Sequence, residues 1–203
     1  MKTFTYSMKS GITRSKEFEK KKLAGFAVNV GVSCAHDCTY CSSCVSLRCH
    51  RAFSYFGLNP MAPGHSIIDP DIAERVAKDA KRLRRRGMVQ LCTTVDAWAP
   101  DAHDLRLGRK CLGAILSEPE WTVRILTKNA HVTQDFDVLE RYCKRVLLGL
   151  SLTGPRESED LLRIIEPHAS PISERMGALS LAAKRKFHTY GMLCPLLPGV
   201  SDA

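Results

Sequence analysis

Nine cysteines make an odd set, and five of them fall within sixteen residues: Cys34, Cys38, Cys41, Cys44 and Cys49. A disulfide framework spreads its cysteines to staple distant segments and needs an oxidising compartment. Spacing this tight suits a metal ion or a cluster. The run Cys34-x3-Cys38-x2-Cys41 directly follows an apolar stretch, AGFAVNVGV (24–32), so one short loop brings three sulfurs to a common centre. Three thiolates can wrap a [4Fe–4S] cluster and leave its fourth iron without a protein ligand. The same segment offers another chemistry. Cys38-x2-Cys41-x2-Cys44, with Cys49 and His50 behind, can supply four ligands to a structural zinc ion. That reading makes the chain a non-enzymatic metal-binding or electron-carrying module. A bacterial ferredoxin loop would place a cysteine and then a proline where Arg48 and Cys49 stand, so that pattern fails. Cys92, Cys111, Cys143 and Cys194 are scattered singly among apolar residues and read as small buried hydrophobes.

The elements that must hold this loop follow from the hydrophobic period. Strands are expected at 24–32, 88–95, 121–128, 145–153 and 187–197. Helices are expected at 71–86, with Asp71 as cap and Gly87 as stop, and at 105–117, 135–143, 157–163 and 173–186. Residues 45–70 read as irregular, broken by Pro60, Pro63, Gly64 and Pro70. Continuous apolar strands alternating with amphipathic helices predict an α/β fold with a parallel sheet. Cys34, Thr93, Thr94, Asp96, Lys128 and Ser151 all fall where strands end, which is where a parallel barrel builds its site.

The segment VSCAHDCTYC, with Tyr40 just before its last cysteine, resembles the cluster motif of the radical S-adenosylmethionine superfamily. LTKN (126–129), GLSLT (149–153), IIEPHASPISERM (164–176) and CPLLPGVSD (194–202) resemble later motifs of one branch of it. That branch contains spore photoproduct lyase and uncharacterised relatives, and the likeness covers residues 24–202. The resemblance implies a cluster on Cys34, Cys38 and Cys41, with S-adenosylmethionine chelating the open iron. Reductive cleavage would yield a 5′-deoxyadenosyl radical that abstracts hydrogen from a substrate, nucleic acid being one candidate. It implies a flavodoxin- or ferredoxin-type electron donor. It also implies cofactor-binding roles for Tyr40, Thr94, Lys128, Ser151 and Arg175: Lys128 at the cofactor's carboxylate, Thr94 and Ser151 at its methionine portion, while Arg175 can instead pair with Glu166 or Glu174. Cys92 would be a hydrogen donor, and His36 would tune or shield the cluster. Barrels of this superfamily have six βα units, whereas five strands are expected here. The expectation is a partial, open parallel βα barrel that stops short at the C-terminal end.

Composition bounds the rest. Apolar residues make up 44% and charged residues 25%, as in an ordinary globular domain. No apolar run approaches the roughly 18 residues of a membrane span, and the N-terminus lacks the apolar core of a secretory signal. A soluble cytoplasmic protein with no membrane partner is expected. The formal net charge is +9. Residues 1–22 carry seven basic and two acidic side chains, and residues 78–86 carry six and one. Residues 1–23 therefore read as a basic arm and 24–203 as the core domain. The two basic patches read as a solvated arm and helix face, or as sites for phosphates or an acidic protein.

Overall fold

The computed structural model describes residues 1–202. Its larger sheet is built from the expected apolar runs. β3 (Phe26–Val28), β6 (Met88–Leu91), β7 (Thr122–Thr127), β8 (Val146–Ser151) and β9 (His188–Met192) lie side by side in that order, all parallel. The register sets Leu91, Ile125 and Leu148 in one row, each fully buried. Strands covered on both faces need no polar alternation, which is why the runs of β3, β6, β7 and β8 read as mainly apolar, whereas β9 is a partly exposed edge strand. Crossover helices return the chain each time: α4 (Ile72–Arg82), the pair α5 (Pro100–Asp104) and α6 (Leu107–Leu116), α7 (Phe136–Arg141), and α8 (Glu159–Ile165) with α9 (Ile172–Lys184). The helix expected over 105–117 is α6, and Arg106, in a left-handed conformation (φ 54°), separates it from the short α5 before it. The result is an open, partial parallel βα barrel.

Four expectations need correction. The run 24–32 is two strands, β3 and β4 (Gly31–Ser33), which belong to different sheets. The chain parts at Asn29, whose side chain reaches across to the loop after β6. Residues 45–70 are ordered as the end of α2 (Ser42–Ser46), α3 (Arg51–Phe56) and β5 (His65–Ile68). Helix α4 ends at Arg82, four residues early, and Asp71 makes no capping bond; Asp69 Oδ1 accepts the Asp71 amide instead, at 3.0 Å.

The basic segment 1–23 is not a free arm. β1 (Lys2–Thr5) pairs in parallel with β5, which also pairs antiparallel with β4, closing a second sheet of three strands. β2 (Thr13–Arg14) extends the larger sheet antiparallel to β3, and α1 (Lys16–Lys20) follows it. Between them Ile12 is buried in the main core, and Gly11 lies directly against the backbone of α4. A segment of mixed polarity is held here by backbone pairing, which composition does not reveal.

Candidate functional site

The C-terminal ends of the parallel strands open into a cavity of about 350 Å³. Cys34, Cys38, Cys41 and Cys44 all line it, and no cysteine of the described chain is in a disulfide. The loop runs from the end of β4 to Cys41, the N-cap residue of α2. Four of its residues fix its shape. The Thr39 amide donates to Ile165 O at 3.0 Å, and Asp37 Oδ2 accepts the Gly64 amide at 2.9 Å. The Tyr40 hydroxyl donates to Glu166 Oε1, with Thr153 Oγ1 also in reach. His36, buried inside the loop, sets Nδ1 3.0 Å from His168 O and Nε2 2.9 Å from Asp96 Oδ2.

Asp96 is a hub. It accepts from His36, from Thr127 Oγ1 at 2.8 Å, and from the amides of Lys128 (2.8 Å) and Trp98 (2.9 Å). Burial pushes its carboxyl up, but the His36 ring and these donors hold it below the ordinary value. Asp96 thereby ties the cysteine loop to the ends of β6 and β7. Asn29 does the same from below, its Oδ1 accepting the amides of Thr93 (2.8 Å) and Thr94 (3.0 Å).

Lys128 leaves the end of β7 and points into the cavity wall. Its Nζ donates to Ser151 Oγ (2.8 Å), Thr153 Oγ1 (3.0 Å) and Glu166 Oε1 (2.8 Å). Glu166 is buried and also takes Thr153 Oγ1 at 2.6 Å and the Arg175 guanidinium. Burial raises its pKa, but Lys128 and Arg175 outweigh that and hold it at about 2. A carboxylate, two cations and three hydroxyls thus form one network beside the cysteines.

The thiols are set differently. Burial, with the Asp96 charge behind it, pushes Cys34 well up, and burial pushes Cys38 up to about 12. Such thiols hold their protons until a metal's positive charge replaces them. Among the described residues no three His, Cys, Asp or Glu side chains converge to hold one metal ion. A cluster makes a different demand, since each thiolate binds its own iron and the sulfurs stand apart. Three soft donors on one loop, facing one cavity, fit that group.

Residues 28–203 match the family model of the Radical SAM superfamily. The chain belongs to the radical SAM superfamily. Its fold is that of spore photoproduct lyase complexed with dinucleoside spore photoproduct, with TM-score 0.64 at 16% identity, covering 97% of this chain and 52% of that one. A variant of that lyase with bound AdoMet and dinucleoside spore photoproduct gives TM-score 0.64 at 17% identity, covering 95% and 51%. A curated relative, uncharacterized protein ORF301 of Acidianus two-tailed virus, is 25% identical over 178 residues. Those residues are 86% of this chain and 56% of the viral protein. This radical SAM chain thus spans about half the length of the proteins it matches.

Within this radical SAM fold, the residues singled out in the sequence are not equally placed. Cys34, Cys38, Cys41, Tyr40, Thr94, Lys128 and Ser151 all line the cavity. Cys92 lines it too but is buried, and burial pushes its thiol well up. Arg175 does not reach the cavity. It is 1% exposed and spends its donors on Glu166, Ser170 O and Ser151 O, which places it behind Glu166. Cys194 was expected to be buried, yet it is exposed on the cavity wall. Its carbonyl accepts Ser151 Oγ at 3.3 Å. Asn29 and Thr153 escaped sequence reasoning. Thr153 had a signal, since it follows Ser151 by two residues just past the end of β8. No helix of the described chain is long and apolar enough to cross a membrane.

Proposed function

We propose that the chain is a radical enzyme that holds a [4Fe–4S] cluster on Cys34, Cys38 and Cys41 and S-adenosylmethionine beside it. The observation that carries this is that three free cysteines and the Lys128–Ser151 pair face one cavity in a radical SAM fold. Bound there, the cluster and cofactor would supply reductive cleavage of the sulfonium and a 5′-deoxyadenosyl radical for hydrogen abstraction. The chain's own residues do the positioning. Lys128 presents a cation for a carboxylate, and Glu166 with Thr153 keeps that cation from swinging away. Thr94 and Ser151 offer hydroxyls to the polar end of the cofactor. Tyr40 and His36 close the loop against water. An electron donor of the flavodoxin or ferredoxin type is proposed for the cluster. Nine cysteines with no disulfide among the described residues support a reducing, cytoplasmic setting. The substrate is an organic molecule with an abstractable hydrogen.

A cysteine scan tests this. Ser at 34, 38 or 41 abolishes both iron binding and 5′-deoxyadenosine formation, whereas Ser at 44 or 49 leaves both largely intact. Iron, sulfide and 5′-deoxyadenosine are measured for all five variants under anaerobic, reducing conditions. Loss of the cluster in Cys44→Ser would replace the open-iron site with a four-cysteine site. Stoichiometric zinc without labile sulfide would end the radical reading altogether.

A further inference from the structure

The two basic stretches, 56 or more residues apart in sequence, meet in space. A cleft of about 330 Å³ is lined by Arg14 and Lys22 from the first stretch and by Arg85 and Arg86 from the second. It lies at the start of β3 and β6, where Gly25, Phe26, Gly87 and Met88 form its floor. The cysteine cavity is at the other end of the same strands, so the two concavities are separate.

Almost all the charge of the molecule is here. Residues 14–22 and 78–86 contain eleven basic and three acidic side chains, a net +8 against +9 for the whole chain. Glu19 is the single carboxylate lining the cleft, facing Arg14 at 3.4 Å and Arg85 at 3.5 Å. Both arginines are largely exposed, with side chains 55% and 71% accessible, so these long pairs contribute little. Arg86 is held from behind by Pro119 O at 3.0 Å and by Glu118 Oε2 at 3.5 Å, so its charge is partly offset. Lys22 makes no ion pair among the described residues and sits with a left-handed backbone (φ 56°). Lys16, Lys21, Lys81 and Arg84 are exposed in the flanking segments and also lack an ion pair among the described residues. Folding has therefore brought like charges together, which costs self-repulsion unless an anion offsets it.

We propose that this cleft is a binding site for phosphate groups, distinct from the cysteine cavity. Arginine forks match phosphate oxygens two at a time, and three of the four lining cations are arginines. The cations flanking the cleft extend the site beyond one phosphate, which suits a chain of them. Such a chain is either a nucleic-acid backbone or a free polyphosphate. The proposal does not rest on the radical reading, because the cleft contains no cluster ligand and no part of the cavity wall.

Fluorescence anisotropy of the full chain with a labelled 12-mer oligonucleotide tests it, with tripolyphosphate and polyglutamate as competitors. The expected result is oligonucleotide binding that weakens steeply between about 50 and 200 mM salt. Arg14→Gln combined with Arg85→Gln weakens it about tenfold, as expected for losing two charge-assisted contacts. Lys144→Gln combined with Lys184→Gln, the same charge change elsewhere on the surface, leaves it unchanged. Displacement by tripolyphosphate at equal phosphate concentration identifies the free polyphosphate as sufficient; resistance to it identifies the nucleic-acid backbone. Equal weakening by both double variants, displacement by polyglutamate at the same charge concentration, or no binding at low salt would each overturn the site. The unfolding midpoint of every variant is measured alongside, so that misfolding is not read as lost binding.

Discussion

Glu166 decides the charge balance beside the cavity. Its carboxylate is buried and takes Tyr40, Thr153, Lys128 and Arg175 at once. Burial favours the protonated acid, but the two cations prevail and bring its pKa from about 4.5 to about 2. The folded state therefore prefers the charged form more than the unfolded chain does. That preference contributes stability in full above about pH 4.5, and the contribution is lost as pH falls toward about 2. The size is on the order of 3 kcal/mol. Glu166→Gln removes it and leaves Arg175 buried without a counter-charge, a loss of about 3–5 kcal/mol at neutral pH. Urea unfolding at pH 7 and pH 3 should show a wide gap between wild type and variant that narrows in acid. A gap of equal size at both pH values would show that the network does not hold Glu166 ionised. The cysteines, Lys128 and Ser151 were legible because each stands where an apolar run stops. Glu166 was visible only as part of a resembling motif. Its partners Tyr40, Lys128, Thr153 and Arg175 lie 126, 38, 13 and 9 residues away, and only the last was suggested by the sequence.

Elements were legible to the extent that burial patterned them. β3, β6, β7 and β8 are largely buried and spell mainly apolar runs, whereas β9, at the sheet edge, is partly exposed. β1 is KTFT, almost entirely exposed, and becomes a strand only because His65–Ile68 lies beside it. The single run 24–32 hid two strands because both are buried and only Asn29 interrupts the apolar character. Close approach of elements was equally silent. Gly11 and Ile12 donate their amides to Asp79 Oδ2 at 2.9 and 3.1 Å, which seats the segment on α4. A Cβ at Gly11 would fall 2.3 Å from the Val76 nitrogen, with backbone on both sides of the clash. Gly11→Ala must therefore shift the helix or break the two amide bonds, and is expected to cost about 1–3 kcal/mol. Gly113 in α6 has nothing within 4 Å of that position. Gly113→Ala should stabilise by about 0.5–1 kcal/mol, since alanine loses less backbone entropy in a helix. Thermal unfolding of both variants gives the comparison. Equal shifts, or a neutral Gly11→Ala, would mean that the segment does not press on the helix.

At the scale of the molecule, two sheets share one cavity, and the N-terminal segment joins them. The larger sheet supplies Thr94, Lys128 and Ser151, while the smaller one supplies the wall around Val32, Ser33 and His65. β1 pairs with β5 in the small sheet, and β2 pairs with β3 in the large one. Phe4 and Tyr6 pack on the small core of Val32, Phe53 and Ile67, whereas Ile12 belongs to the main core. The Met8 amide reaches Asp69 Oδ2 at 2.7 Å, beside the Arg75 pair that also holds that buried carboxylate. Removing residues 1–23 would thus bare one edge of β5, take apolar cover from both cores and leave Asp69 and Asp79 with fewer donors. A dispensable basic arm would predict none of this. The expected outcome is a truncated chain with a markedly lower urea midpoint and faster amide exchange at 65–68 than in the full chain, where β5 is paired on both edges. The disturbance should spread to the cysteine loop, because β4, which leads into it, pairs with β5. An unchanged midpoint and unchanged protection at 65–68 would mean that the segment is an appendage after all. In that case the small sheet would stand on the β4–β5 pair alone, an isolated two-stranded pair that is marginal in water unless other elements cover it.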